Sequence, residues 1–412
     1  MPLPLEGLRV CDLTQFWAGP FATQYLAHLG AEVIKVEPAG RGDSVRSQGS
    51  GHENFWEWAP IFNGTNVNKH GCTLDIATKE GKDLLTRLIS ASDVVAENYS
   101  ARVVKNLNLG YDYVRKVNPT AILLSMPGFG RGGPWEQYVG FGPQFEQASG
   151  ITYASGYPDT EPIGNAAMSD PIGGMYAAIA IMIAIEHRKR TGEGQFIDFS
   201  TTEGIAFLNA YTLLDYTMNG RVRERNANKH VAWAPHGAYP CKASDRLGGN
   251  DEWVAITVQD DAQFAALCEA MGKPGLAQDE RFADVLNRWE HEDALREQIA
   301  AWTRQHDSRE VMRILQAKGV PAGATINHAT VANDPQVKER DFLWYIDRPV
   351  NGGKHPYYGF PAKLSKSQVR ARKATPTVGQ DNEYVYGDVL NLSKRQIEDL
   401  NRRGVIARTV RV

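Results

Sequence analysis

Residues 8–37 read LRVCDLTQFWAGPFATQYLAHLGAEVIKVE. Residues 8–13 form an apolar strand candidate. Ala18-Gly19-Pro20 follows as a turn, with Pro20 suited to the first position of a helix because its fixed φ is already helical. Tyr25, Leu26 and Leu29 continue that helix at helical spacing. Gly30 ends it, and residues 32–37 read as a second strand. Strand, turn, helix and strand within thirty residues make a βαβ unit, the connection that parallel strands require. Residues 15–20 hold one glycine, so the GxGxxG phosphate fingerprint is absent. The unit predicts a parallel sheet without predicting NAD.

The alternation repeats outward from this unit. Residues 73–76 are a short strand, and 79–91 an amphipathic helix with Leu84, Leu85, Leu88 and Ile89 on one face. Residues 93–97 and 121–125 are strands, with a helix at 101–107 between them. The fold class is therefore α/β, a doubly wound parallel sheet with helices on both faces. Residues 1–220 are the first part of this large domain. Composition shifts after Tyr216, and NGRVRERNANK (219–229) is a basic linker. Strands at 234–240 and 253–258, a turn at 244–250, and helices at 261–271, 290–305 and 308–318 predict a smaller α+β domain over 225–330. Residues 335–412 are a C-terminal segment that rejoins the large domain. Its last helix opens with a capping box, Ser393 and Gln396, and turns Ile397 and Leu400 inward.

The chain has 412 residues, 42% hydrophobic and 23% charged. At ~150 residues per domain it predicts two or three domains. A net charge of −3 gives no basic field to recruit nucleic acid or an anionic membrane. MPLPLE lacks the basic and apolar regions of a secretory signal. The longest apolar run, residues 175–185, is too short to span a bilayer, which takes about 20 residues. The expectation is a cytoplasmic protein with no membrane or nucleic-acid partner. Cys11, Cys72, Cys241 and Cys268 are widely spaced and read as buried free thiols.

Several chemistries lack their residues. The ten histidines show no metal-ligand spacing. No G-x-S-x-G follows a strand, and no Walker A motif occurs. Asp170 remains, in SDPIGGMYAAIAIMIAIEHRKR (169–190). Asp before Pro before an apolar helix reads as an N-cap with Pro171 at the first helical position. It also suits a carboxylate nucleophile that attacks an acyl carbon, and the two readings are compatible. A helix N-terminus favours an ionised carboxylate, and Gly173 and Gly174 leave the approach free of side chains.

DLTQFWAGPFATQYLAHLGAEVIKVEPAGRGD (12–43), NVNKHGCTLDIATKEGKDLL (66–85), DVVAENYS (93–100), LNLGYDYVRKVNPTAILLSMPGFGRGGP (107–134) and SDPIGGMYAAIAIMIAIEHRKRTGEGQFIDFS (169–200) occur in this order. APHGAYPC and DPQVKERDF follow. In order and spacing they resemble the class III CoA-transferase family, of the formyl-CoA transferase and crotonobetainyl-CoA:carnitine CoA-transferase type. The resemblance implies a Rossmann-like large domain built from both chain ends, a small middle domain, and an interlocked-ring homodimer. It implies acyl-CoA and free carboxylic acids as substrates, with no metal and no prosthetic group. Asp170 matches the family nucleophile, which forms covalent aspartyl intermediates.

Trp17, Ala18, Leu74, Asp75, Ala77, Asn98, Tyr99 and Ser100 match CoA-contact positions. Trp17 stands where formyl-CoA transferase has glutamine. Pro38 and Asn106 stand where relatives have arginine, which leaves Arg41, Arg46 and Lys105 as candidate phosphate cations. Gln15, Phe16, Phe141 and Gly142 are placed at the substrate pocket. Phe16, Trp17, Trp56 and Trp58 suggest an aromatic lining for a bulky acid, although core packing explains them as well. The same family includes α-methylacyl-CoA racemases, which use a histidine base in a Gly-His-Asp setting. Here Gly140-Phe141-Gly142 supplies no base, so a racemase is the runner-up reading. A non-catalytic acyl-CoA-binding protein is the third.

Overall fold

The computed structural model of the protein describes residues 2–164, 168–243 and 251–410. The turn expected at 244–250 lies outside them. The chain forms two compact units. One is Met1–Tyr153, Ile163–Arg223 and Phe342–Val412; the other is Ala154–Pro162 and Glu224–Asp341.

The first unit runs β1 (Arg9–Asp12), α1 (Ala18–His28), β2 (Glu32–Pro38), α2 (Pro60–Thr65), β3 (His70–Leu74), α3 (Lys79–Ser90), β4 (Val94–Glu97), α4 (Ala101–Leu107), α5 (Tyr111–Val117), β5 (Ile122–Ser125), α6 (Gly142–Ala148), α7 (Ser169–Thr191), β6 (Phe196–Asp198), α8 (Thr201–Leu208) and α9 (Ala210–Asn219). The sheet order is β3-β2-β1-β4-β5-β6, and every pairing is parallel. The chain therefore reverses direction of growth between β1 and β4. In open α/β sheets, ligands bind outside the carboxyl ends of the strands at such a reversal.

Strand residues alternate between two apolar layers, because successive side chains leave opposite faces of a sheet. Val10, Val94, Ala96, Ile122 and Leu124 join one layer with Leu26 of α1 and Ala177, Ala178, Ile181 and Ile185 of α7. Cys11, Val95 and Leu123 join the other with Leu84, Leu85 and Leu88 of α3, and with Ile397, Leu400, Val405 and Ile406 from the end of the chain. The four cysteines are free and buried.

The second unit runs β7 (His236–Pro240), β8 (Trp253–Thr257), α10 (Asp261–Ala270), α11 (Val285–Glu290), α12 (Glu292–Thr303), α13 (Ser308–Ala317), β9 (Ala322–Thr325), α14 (His328–Val331) and α15 (Pro335–Glu339). Its antiparallel sheet β7-β8-β9 packs Val254 and Ile256 against Leu267, Leu295, Ile299 and Leu315. The chain then returns to the first unit as the hairpin β10 (Leu343–Arg348) and β11 (Gly353–Tyr358). It ends in α16 (Lys394–Arg402), whose Ser393–Gln396 capping box forms as expected.

One expectation needs correction. The apolar run at 175–185 is part of a 23-residue helix, α7, which by length and composition alone could cross a bilayer. Length therefore does not argue against a membrane span; packing does, since Ala177, Ala178, Ile181 and Ile185 are buried in the core. That helix is also not buried all round: Met175, Ile179 and Ile183, four residues apart, are exposed on its far side. The helical stretch after β6 breaks at Asn209 into α8 and α9.

Candidate active site

The chain leaves β1 at Asp12 and enters α1 at Ala18, and the turn between them sits at the reversal point. Its backbone is held by side chains from neighbouring strand ends. Gln15 N–H donates to Asn98 Oδ1 at 2.8 Å, and Asn98 Nδ2 donates to the Gln15 carbonyl at 2.7 Å. Phe16 N–H donates to Asp43 Oδ1 at 3.1 Å. Asp43 in turn pairs with Lys35 Nζ at 2.7 Å, both side chains fully buried. Phe16 is held at φ +66°, a left-handed conformation that costs a bulky residue energy.

Asp170 lies across from this turn. The structure begins α7 at Ser169, so Asp170 stands inside the first turn and the N-cap position is Met168, without a side-chain cap bond. Two contacts explain why Asp170 is not the cap. Ser169 N–H donates to Glu146 Oε1 at 3.0 Å, so a carboxylate from α6 serves the open end of α7. The Asp170 carboxyl instead accepts from the Ala18 backbone N–H.

Partial burial lifts Asp170 from 3.8 to about 6, the nearby charge of Glu146 adds to the rise, and the Ala18 N–H limits it. Glu146 is buried, and among the described residues its Oε2 has no hydrogen-bond partner, as is true of the Ser169 hydroxyl. Gly174 has a different use from the one its sequence suggests. A Cβ there would lie 2.6 Å from the Ala18 carbonyl oxygen. The glycine lets the start of α1 seat on the first turn of α7, which is what brings Ala18 to Asp170.

A cavity of about 280 Å³ opens at the carboxyl ends of β1 to β4, lined by Leu13, Gln15, Arg41, Leu74, Asp75, Ala77 and Tyr99 among others. A second, of about 440 Å³, shares Gln15, Pro38 and Arg41 with it and adds Ser44, Ser47, Phe55 and Trp56. Gln15 thus borders both cavities, and Ala18, three residues on, reaches Asp170. Trp17 precedes α1 and is partly exposed. Ser100 precedes α4 and Lys105 lies exposed on it; neither lines these cavities. Phe16 and Phe141 meet edge to face at 5.3 Å, with Phe141 and Gly142 at the start of α6. Trp58 stacks instead on His52, at 3.7 Å.

Arg46 leaves the set of phosphate cations. It is 1% exposed and bidentate to Glu37 (2.6 and 2.8 Å), reaches Glu57 at 3.2 Å, and lies 3.6 Å over the Phe62 ring. Arg41 is exposed at the cavity mouth. Sequence reasoning missed Asp43, Glu146 and Arg131, the last of which clamps Glu97 and the Tyr99 carbonyl from the Gly-rich loop. Only the third had a signal, in the PGFGRGGP run. Among the described residues no group of three His, Cys, Asp or Glu side chains is placed to hold a metal ion.

Fold and site together define an α/β protein with two adjoining cavities at the carboxyl ends of a parallel sheet and a raised carboxyl against the switch-point turn. Residues 5–382 match CoA-transferase family III. The chain is 33% identical to succinyl-CoA–D-citramalate CoA-transferase of Chloroflexus aurantiacus over 408 residues, 98% of each chain. It is 30% identical to succinate–glutarate CoA-transferase of Agrobacterium fabrum over 398 residues, 95% of this chain and 97% of that one. The crystal structure of a CAIB/BAIF family protein from Brucella suis superposes with a TM-score of 0.86 at 31% identity, covering 94% of this chain and all of that one. The chain belongs to CoA-transferase family III. It is an enzyme that transfers coenzyme A between an acyl-CoA thioester and a carboxylic acid.

Proposed function

We propose that transfer runs through Asp170 as a covalent nucleophile, in an interlocked homodimer, on short dicarboxylic acids. The carrying observation is the Asp170 carboxyl, raised by burial and met by the Ala18 N–H. The carboxylate attacks the donor thioester carbonyl; the C–S bond breaks, leaving a mixed anhydride and CoA thiolate. The thiolate attacks the aspartyl carbonyl, releases the donor acid and forms an aspartyl-CoA thioester. The acceptor carboxylate attacks the same carbonyl and expels thiolate again, giving a second anhydride. Attack of that thiolate on the acceptor's acyl carbon completes acceptor-CoA and restores Asp170. The Ala18 N–H is a donor beside the carbonyl where oxyanion charge develops. Water must stay out, or each intermediate hydrolyses.

Coenzyme A is a substrate here and not a resident cofactor. Its nucleotide end is assigned to the cavity of Arg41, Leu74, Asp75, Ala77 and Tyr99. Trp17, Ala18 and the 98–100 backbone lead from there toward Asp170, and Lys105 supplies charge near the phosphates. Gln15, Phe16, Phe141 and Gly142 face the acyl group. Succinyl-CoA recurs as donor in the relatives' names, which favours a short dicarboxylate over a bulky acid. Incubation with succinyl-CoA and hydroxylamine should leave a hydroxamate on the peptide carrying Asp170, read by mass spectrometry; an unmodified Asp170 beside a turning-over enzyme sinks the mechanism.

The dimer reading rests on the family and on α9, where no residue is buried and Leu213 and Met218 are 63% and 77% exposed. A monomer seldom leaves so many large apolar side chains in water. Light scattering at micromolar concentration should return twice the 45.6 kDa chain mass; a monomer there rules the ring dimer out.

A further inference from the structure

The amide of Asn98 is committed to one peptide unit's worth of backbone. Its Oδ1 accepts from Gln15 N–H and its Nδ2 donates to the Gln15 carbonyl, at 2.8 and 2.7 Å. This pairing continues in side-chain form the ladder between β1 and β4, whose last backbone rung is Leu13 N–H to the Ala96 carbonyl at 2.9 Å. One residue on, Asp43 takes the Phe16 N–H and holds the left-handed Phe16 in place. Two residues after Phe16, Ala18 presents its N–H to Asp170. The strained turn is thus pinned from two sides immediately before the residue that meets the carboxyl. A turn freed at Gln15 relaxes at Phe16, where strain is stored, and Ala18 moves with it.

We propose that the Asn98 side chain is a positioning residue for the transfer reaction: it acts through the 15–18 turn to hold the Ala18 N–H against Asp170. This rests on Asp170 being the nucleophile. It separates Asn98 from Tyr99 and Ser100, its neighbours in the CoA-contact segment, since both polar groups of its amide are already bonded within the protein.

Asn98→Ala and the isosteric Asn98→Asp test it. Asn98→Asp keeps the acceptor for Gln15 N–H but sets a second acceptor against the Gln15 carbonyl. Each variant is measured for melting temperature, for CoA affinity by calorimetry, for kcat and KM with succinyl-CoA, and for the rate of hydroxamate formation at Asp170. The expected result is kcat and trapping rate lower by roughly a hundredfold, the cost of an ångström of misplacement, with CoA affinity within about twofold. CoA affinity falling in step with kcat/KM while kcat holds overturns the proposal and makes Asn98 a ligand contact. Trapping at the parent rate in a folded variant overturns it as well. If the parent enzyme itself yields no hydroxamate, the nucleophile assignment fails instead, a result distinct from either. Should Asn98→Ala not fold, Asn98→Asp carries the same comparison.

Discussion

Asp170→Asn is expected to abolish CoA transfer, by about 10⁴-fold or more in kcat, as removal of a covalent nucleophile does. The same substitution should make the protein more stable at pH 8. The folded carboxyl titrates near 6 against 3.8 for a free one. A raised carboxyl pKa means that folding penalises the charged form. The penalty is absent below pH 3.8, where both states hold the proton. It grows between 3.8 and 6 and is complete above 6. Two pKa steps correspond to about 3 kcal/mol, an upper figure for a partly solvated group. An amide of the same shape removes that penalty and still accepts from Ala18.

The pH dependence of the parent enzyme follows from the same group. Its kcat/KM should fall as pH drops through about 6, when Asp170 takes up the proton and stops attacking. Glu146→Gln retains an acceptor for Ser169 N–H and removes the charge beside Asp170, so that acid limb should move to lower pH. Activity of Asp170→Asn within tenfold of the parent would refute the assignment. A pH-rate profile flat through pH 5 would do the same.

Arg46→Met is expected to cost about 3–5 kcal/mol in urea unfolding, the range for removing one partner from a buried ion pair. Arg46 is the cation between Glu37 and Glu57, and Arg348 also bonds Glu57 within the same buried cluster. Methionine restores apolar volume over Phe62 but leaves the Glu37 carboxylate buried without its bidentate partner. Arg41→Met supplies the contrast. That side chain is exposed, so stability should change by less than about 0.5 kcal/mol, while CoA affinity falls through the loss of a cation at the cavity. Reversal of the two outcomes, with Arg46→Met stable and weak in CoA binding, would return Arg46 to the ligand.

Two arginines five positions apart in one loop therefore have unrelated duties, and nothing local in PAGRGDSVRSQG tells them apart. Burial of Arg46 is decided by Glu57 and by the Pro376 carbonyl, 330 residues away in the chain. The parallel sheet was legible for the opposite reason. Alternating strands and helices with period-2 and period-3.6 apolar patterns are local signals, and β1 through β5 appeared within a residue or two or, for β3, three of their expected places. α2, α5 and α6, six or seven residues long, were not read from the sequence, although the equally short α4 was.

Strand–helix alternation and motif order, which are linear, carried the α/β class and the family, and singled out Asp170 among 48 acidic residues as the proposed nucleophile. What surrounds Asp170 was settled in three dimensions. Its local sequence says helix cap, because Asp and Pro before an apolar run are a cap's usual signature. In the fold, Glu146 takes the capping bond from α6, the absence of a Cβ on Gly174 admits the start of α1, and Ala18 arrives from 152 positions earlier. A carboxyl's burial and its charged neighbours depend on which segments meet, and a linear pattern carries no term for that. Asp170 was readable as a residue type at a position; its acidity and the backbone donor it meets belong to the packing of α1, α6 and α7.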